Sequence, residues 1–399
     1  MKKLIKRSVF MIENGLITFF SLFSIQKNWI MLDSWNGKEF SGDIKMLYDV
    51  FVERFSHPQY IIVGKKTRNV GDKTVEVSRG SLKYYYFRAC SRYYITNYYY
   101  VNQLSKVKIR KGTEYILVWH AAGILKKIGK SVLDEKGRKS IDKAGKKISK
   151  LIVSSELVRT VYSQDLGVER GRVLPLGIPR SDYIVHNADK REDLVKSFAT
   201  HCFSKNREIA STIKTRYEFL LKQFSKGRKI ILYAPTIRDD KSVDFLPDFF
   251  HLQHALGKEY IIILQLHPMS VPYEVASELN EFVFQIEGLS SEALMIMSDL
   301  LITDYSSLIF DFAFLKRPMV FYIPDGTEYI SQKGFYIDFF ENTPGEKVTN
   351  QAELVEAILE SEKRMIRFEK VRERILEYAQ MDGKACERFV QEIFKEQMW

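Results

Sequence analysis

At 399 residues with 45% hydrophobic content, the chain is long enough for two domains with separate cores and too apolar to be disordered. Its formal net charge of +11 and pI near 9.2 favour anionic partners: nucleic acid, phospholipid headgroups, nucleotides or polyanionic polymers. Three widely spaced cysteines, Cys90, Cys202 and Cys386, show no CxxC or metal-type pairing, which argues against a disulfide framework and suits a reducing cytosol.

Residues 1–28 open with Lys2, Lys3, Lys6 and Arg7, ahead of an apolar stretch interrupted by Glu13 and Asn14. No small-residue cleavage site follows, and the run 15–25 is too short to span a bilayer. Leu16, Phe19, Phe20 and Phe23 share one helical face. The segment is therefore expected to lie on an anionic membrane surface, each upstream cation contributing about 1 kcal/mol. The plainer alternative is a helix docked on its own domain.

Between 29 and 190, strands are predicted near 29–32, 60–63, 115–119, 151–154 and 173–176, with helical stretches between several of them. The strand at 115–119 runs straight into His120. A lysine-rich stretch, 126–150, follows and reads either as a second membrane contact or as a solvated face. Tyr84, Tyr85, Tyr86, Arg88, Arg92, Tyr93, Tyr94, Tyr98, Tyr99 and Tyr100 superficially match an aromatic and basic nucleic-acid surface. No RNA- or DNA-binding motif accompanies them, so aromatic packing in an interior is the favoured reading and no nucleic-acid partner is expected.

From 191 to 399 the pattern repeats. A polar helical span at 189–224 leads into strands near 229–233, 260–266, 282–286, 300–303 and 319–323, with helices from about 351 onward. The strand at 260–266 runs into His267. The apolar run Leu300, Leu301, Ile302 is broken by Thr303, Asp304, Tyr305, Ser306 and Ser307, after which apolar residues recur at helical spacing. A helix starting at Ser306 or Ser307 would offer unpaired N–H groups to an anion; alternatively, Asp304 or Ser306 merely caps it. Segment 324–345 reads as a loop near the site. Such alternation implies parallel sheets covered by helices, whose strand-end loops meet in a crevice, so His120, His267 and the Ser306 turn are candidates for one site.

The strings WHAAGILKKIG (119–129), GIPRSDY (177–183), YAPTIRDD (233–240), LHP (266–268), SDLLITDYSSLIFDF (298–312) and DGKACER (382–388) stand in one order. From about residue 29 onward they resemble the CDP-glycerol glycerophosphotransferase family of teichoic acid polymerases and primases. The resemblance implies an α/β, GT-B-like fold, two Rossmann-like domains facing across a central cleft: an acceptor domain at 29–190 and a CDP-donor domain with terminal helices at 191–399. It further implies transfer of glycerol phosphate or ribitol phosphate from a CDP-polyol to a hydroxyl of an undecaprenyl-type lipid-linked acceptor. CMP would be released at the cytoplasmic face of the plasma membrane, on a surface of anionic lipids.

Within that resemblance His120 is the candidate base, since an alcohol is a poor nucleophile near neutral pH. His267 would donate a hydrogen bond to the pyrophosphate and assist CMP departure. Thr303, Ser306 and Ser307 would contact the donor phosphates, and Arg238 is a bidentate phosphate partner. Asp311 either binds polyol hydroxyls or fixes its helix, and Lys384 and Arg388 either face the cleft or are surface cations. No DxD lies in a strand-end loop, so no metal and no cofactor are expected; cationic side chains would neutralise the leaving group. WHAAGILKKIG carries one residue more than the WHGTPLKKLG of glycerol-transferring members, which brings ribitol into play as the polyol. A nucleotide-sugar glycosyltransferase of the same fold is the alternative reading.

Overall fold

The computed structural model describes residues 2–37, 40–64, 74–196, 210–267, 270–286 and 289–395. The chain forms two compact units: Met1–Gly123 with Lys127–Tyr183 and Tyr378–Trp399, and Ile124–Lys126 with Ile184–Glu377.

The first unit is built on seven parallel strands: β1 (Gln26–Asp33), β2 (Gln59–Val63), β3 (Thr74–Val77), β4 (Ser91–Thr96), β5 (Glu114–Val118), β6 (Lys150–Val153) and β7 (Val173–Pro175). Their order is β3-β2-β1-β4-β5-β6-β7, so the winding direction reverses between β1 and β4. The strands are apolar almost throughout because helices cover parallel sheets on both faces. β3 and β4 escaped the sequence reading. In β4 the residues RYYIT look like a surface cluster, yet Tyr93 and Tyr94 are buried, as are Tyr84 and Tyr85 on the helix α2 (Leu82–Cys90) before it. The aromatic run is interior packing at Tyr84, Tyr85, Tyr93 and Tyr94, whereas Tyr98 and Tyr99 are half-buried and Tyr100 is exposed.

The second unit carries six parallel strands: β8 (Lys229–Tyr233), β9 (Tyr260–Leu264), β10 (Val283–Phe284), β11 (Leu300–Thr303), β12 (Met319–Tyr322) and β13 (Glu346–Val348). The order β10-β9-β8-β11-β12-β13 reverses between β8 and β11. Ile231, Ile262, Leu300, Ile302, Phe249 and Leu354 are among the residues of its core. The span 189–224 is helical at Ala210–Ser225, and residues 197–209 lie outside the described residues, as does Cys202. The stretch 324–345 is not a bare loop: it holds the short helices Glu328–Lys333 and Phe339–Asn342.

One boundary needs correction. The terminal helices do not all belong with 191–399, because the last helix, Ala385–Phe394, packs in the first unit's core through Phe389, Ile393 and Phe394. Phe51 meets the rings of Phe389 and Phe394 at 5.9 and 5.2 Å. The helix start is pinned by Asp182, whose buried carboxylate accepts the N–H groups of Ala385 (2.9 Å) and Cys386 (2.8 Å).

The N-terminal helix α1 (Lys2–Phe20) is docked by one face and open on another. Glu13 accepts from the Tyr85 hydroxyl (3.1 Å) and the Gln103 amide (3.3 Å), and Ile17 is buried. Met11, Ile12 and Phe19, with Leu22 just beyond the helix, are exposed. Among the described residues no helix is long and apolar enough to cross a membrane.

Candidate active site

Both candidate histidines sit where an apolar strand ends. β5 stops at Val118, but Trp119 N–H still bonds the Ile152 carbonyl (2.9 Å), which carries the strand direction into His120. Trp119 is buried and its ring lies 4.5 Å from the imidazole. The His120 carbonyl accepts a hydrogen bond from the Arg180 guanidinium. Arg180 in turn reaches buried Asp43 through its backbone N–H (3.0 Å) and its side chain (3.5 Å). The GIPRSDY string therefore has a structural role that sequence alone leaves blank: its arginine braces the histidine.

Trp35 faces the imidazole from another side at 5.5 Å. It lies in the turn Trp35–Gly37 that follows β1, with φ +45° at Trp35 and +62° at Asn36, a left-handed conformation that non-glycine residues seldom hold without a local reason. His120 Nδ1 is buried and has no hydrogen-bond partner among the described residues. Burial first, and then the Arg180 charge, push the imidazole pKa down to about 4, while a backbone contact with Asn97 pulls the other way. At neutral pH the ring is uncharged and able to take a proton.

In the second unit the site grows at the β8/β11 reversal. Asp304, buried just past β11, accepts from Thr236 N–H (2.8 Å), Tyr305 N–H (2.6 Å) and Arg238 Nη1 (2.9 Å). Arg238 is also held by Asp325 (2.9 Å) and lies over the rings of Phe245 (4.3 Å) and Tyr329 (4.9 Å). Its Nη2 remains buried without a partner. Tyr329 stacks on Tyr305 at 4.4 Å, and the Tyr305 hydroxyl donates to Asp325 (2.8 Å). These contacts make the arginine rigid while leaving one edge of its guanidinium available.

Lys126 completes this group, and the sequence reading did not place it there. Its segment joins the second unit through Tyr336 N–H to the Leu125 carbonyl (2.9 Å) and a bridge between Lys126 and Phe335. The ammonium lies 3.4 Å from the Tyr329 hydroxyl. Burial pushes its pKa down to about 8; Asp304 opposes that, and Arg238 and Lys333 add to it. Among the described residues Lys126 forms no ion pair, whereas neighbouring Lys333 is matched by Asp239 (2.6 Å). His267 is partly exposed, and its pKa is lowered by burial and by the Lys126 charge. A half-buried ammonium with no carboxylate, beside a histidine and an arginine edge, is suited to an anion.

The remaining expected residues divide. Thr303 is buried and its hydroxyl is spent on the Ala234 carbonyl (2.7 Å), so it ties β11 to the YAPT turn instead of facing a ligand. Ser306 Oγ accepts from Leu308 N–H (3.2 Å), a local turn contact, and Ser307, at the N-cap position, is half-buried and makes no side-chain cap bond. The helix that follows is only Leu308–Ala313, too short for a strong dipole, and Asp311 is wholly buried within it, which favours the fixing role. Lys384 and Arg388 belong to the first unit, not to the unit that holds Arg238 and His267. Arg388 is engaged by Asp382 (2.6 and 3.0 Å) and the Leu176 carbonyl (2.8 Å); Lys384 is exposed. Among the described residues no group of three or more His, Cys, Asp or Glu is placed to hold a metal ion.

A family model described as CDP-glycerol:poly(glycerophosphate) glycerophosphotransferase matches residues 16–395. The chain is 29% identical over 388 residues to the teichoic acid poly(ribitol-phosphate) polymerase of Bacillus spizizenii, covering 94% of this chain but only 57% of that protein. It is 29% identical over 412 residues to the teichoic acid glycerol-phosphate transferase of Staphylococcus aureus, covering 96% of this chain and 98% of that one. The solved structure of the wall teichoic acid polymerase TagF superposes with a TM-score of 0.80 at 22% identity, covering 99% of this chain and 95% of that chain. The fold is thus the α/β, GT-B-like one.

Proposed function

The chain belongs to the CDP-glycerol:poly(glycerophosphate) glycerophosphotransferase family, and from that premise we propose that it transfers glycerol phosphate or ribitol phosphate from a CDP-polyol to an acceptor hydroxyl in teichoic acid synthesis. The acceptor is a lipid-linked primer of undecaprenyl type, used at the cytoplasmic face of an anionic membrane. The observation that carries the reading is Lys126: an ammonium that forms no ion pair among the described residues, set with His267 and the unpartnered Nη2 of Arg238 at the strand-order reversal where such sheets bind ligands.

The acceptor oxygen attacks the phosphorus next to the polyol. A new P–O bond forms, the P–O bond to CMP breaks, and CMP leaves with that electron pair. His120, neutral and with Nδ1 unpartnered among the described residues, takes the proton of the attacking hydroxyl. Lys126, Arg238 and His267 hold the diphosphate and offset the charge that grows on departing CMP. Membrane contact falls to the open face of α1, where Met11, Ile12 and Phe19 are exposed.

The test is CMP release from CDP-glycerol and CDP-ribitol in parallel, with a lipid-linked glycerol-phosphate primer and EDTA present. Primer-dependent CMP from one donor identifies the polyol and supports transfer without a metal. Release that appears only when Mg²⁺ replaces EDTA would refute metal independence. Silence with both donors would turn the search to nucleotide sugars.

A further inference from the structure

Three neighbouring strands of the first unit each deliver one residue to the surroundings of the base. β1, β4 and β5 are adjacent and parallel, with Asp33 paired to Thr96 and Thr96 paired to Leu117. Their carboxyl ends therefore lie side by side: Trp35 follows β1, Asn97 follows β4 and His120 follows β5. Asn97 stands on the middle strand.

Asn97 is fully buried, which is costly for a side-chain amide unless it is used. Its Oδ1 accepts the Trp35 N–H (2.9 Å), a tie from β4 to the turn after β1. That turn holds φ +45° at Trp35 and +62° at Asn36, a backbone conformation that residues with a Cβ keep only under external restraint. A second contact runs from the Asn97 backbone to the His120 imidazole. One residue thus touches both the base and the turn beside it. The imidazole has an indole on either hand, Trp119 at 4.5 Å and Trp35 at 5.5 Å. Trp119 is buried against Tyr162 (5.3 Å), whereas Trp35 is 37% exposed, so its placement depends on the turn and the turn depends on Asn97.

We propose that Asn97 is a positioning residue for His120: its side-chain carbonyl fixes the Trp35 turn against one side of the imidazole and its backbone restrains the ring, so that the base meets the attacking hydroxyl in one orientation and shielded from water. The proposal rests on the transfer reaction proposed above and adds to it a residue that touches no substrate. Shielding has an electrostatic consequence. Burial is the largest cause of the low imidazole pKa of about 4, ahead of the Arg180 charge. The charges on the flanking elements are themselves paired, Arg180 with Asp43 and Asp33 with Arg79. Releasing the Trp35 turn hydrates the ring and moves its pKa back toward 6.5.

The first measurement requires no turnover. The isotope-labelled His120 imidazole is followed by NMR in the full chain from about pH 5 to 8 and assigned by its loss in His120→Ala. In the wild type the signal is expected to stay flat, because its midpoint lies near 4. In Asn97→Ala it should titrate within that window, and a flat signal there overturns the proposal. The second measurement is primer-dependent CMP release. Asn97→Ala is expected to lower kcat about tenfold to a hundredfold and to leave the CDP-polyol KM within about threefold. Asn97 Nδ2 has no partner among the described residues, so Asn97→Asp keeps the accepting oxygen and sacrifices no bond. It should recover most of the lost kcat at about pH 8, while its carboxylate moves the acid limb of kcat upward by about one pH unit or more. Equal losses in the two variants, or a limb that does not move, overturn the proposal. If Asn97→Ala fails to fold, Asn97→Asp decides: His120 titrating within the window supports the role, and a flat signal refutes it. A moved titration with no turnover in any form, the wild type included, supports the positioning of His120 and counts against the transfer reaction alone.

Discussion

His120 and Lys126 are both moved away from ordinary titration behaviour, and each shift has a kinetic signature. His120→Ala is expected to lower kcat by roughly 10² to 10⁴, the usual worth of a general base, while CDP-polyol binding by calorimetry stays unchanged. Wild-type turnover in that variant would remove it as the base. The His120 pKa falls from 6.5 to about 4 on folding, so the folded state resists protonation that the unfolded chain accepts. That stability contribution is intact above the unfolded value of 6.5 and declines as pH falls toward 4. Lys126 titrates near 8, so it is cationic at neutral pH and loses its charge above that value. The donor KM should rise on the alkaline side of pH 8, and Lys126→Arg should abolish that limb, because a guanidinium stays charged there. A donor KM flat to pH 10 in the wild type would count against Lys126 as a phosphate ligand.

Two helices show how an element is placed by contacts that its own periodicity does not specify. Ala385–Phe394 carries an apolar stripe that would suit either unit, and the buried Asp182 carboxylate on its first N–H groups selects the first. Asp182→Ala is expected to cost about 3 kcal/mol, read from the urea midpoint, since two buried donors lose a charged acceptor. Arg388→Met should likewise lower stability and leave the CDP-polyol KM alone; a selective rise in that KM would restore it to the donor site. In α1 the docked and open faces separate two effects. Replacing Phe19 and Leu22 by serine should reduce sedimentation with anionic vesicles at constant melting temperature. Full retention on vesicles would move the anchor elsewhere.

At the scale of the whole molecule, the two units are not consecutive lengths of chain. Residues 124–126 leave the first half to join the second unit, and 378–399 return to the first. The first core is therefore completed only by the last residues, with Phe389, Ile393 and Phe394 buried among Phe51, Tyr60 and Tyr93. A chain ending at Glu377 should lose protection from hydrogen exchange in β1, β2 and β4 while β8, β9 and β11 keep theirs. Uniform loss, or none, would show that the units do not fold as this partition requires. Such long-range closure also delays completion of the first core until the entire chain is available.

The sequence by itself determined the parts that depend on local pattern. Apolar runs ended by polar residues located β5, β8, β9 and β11 and identified His120 and His267 at two of those ends; strand and helix alternation gave parallel sheets. Ordered motifs gave the family. Tertiary structure alone decided which polar groups remain available to a ligand. Thr303 looks like a phosphate contact until Ala234, 69 residues away, takes its hydroxyl. Arg388 looks like a site cation until Leu176, 212 residues away, claims it. Lys126 looks like one more solvated lysine until Tyr329 and His267 surround it, and Arg88 looks like a surface charge until β4 buries it. Backbone periodicity is a property of neighbours in the chain, whereas hydrogen-bond satisfaction and burial depend on partners in space.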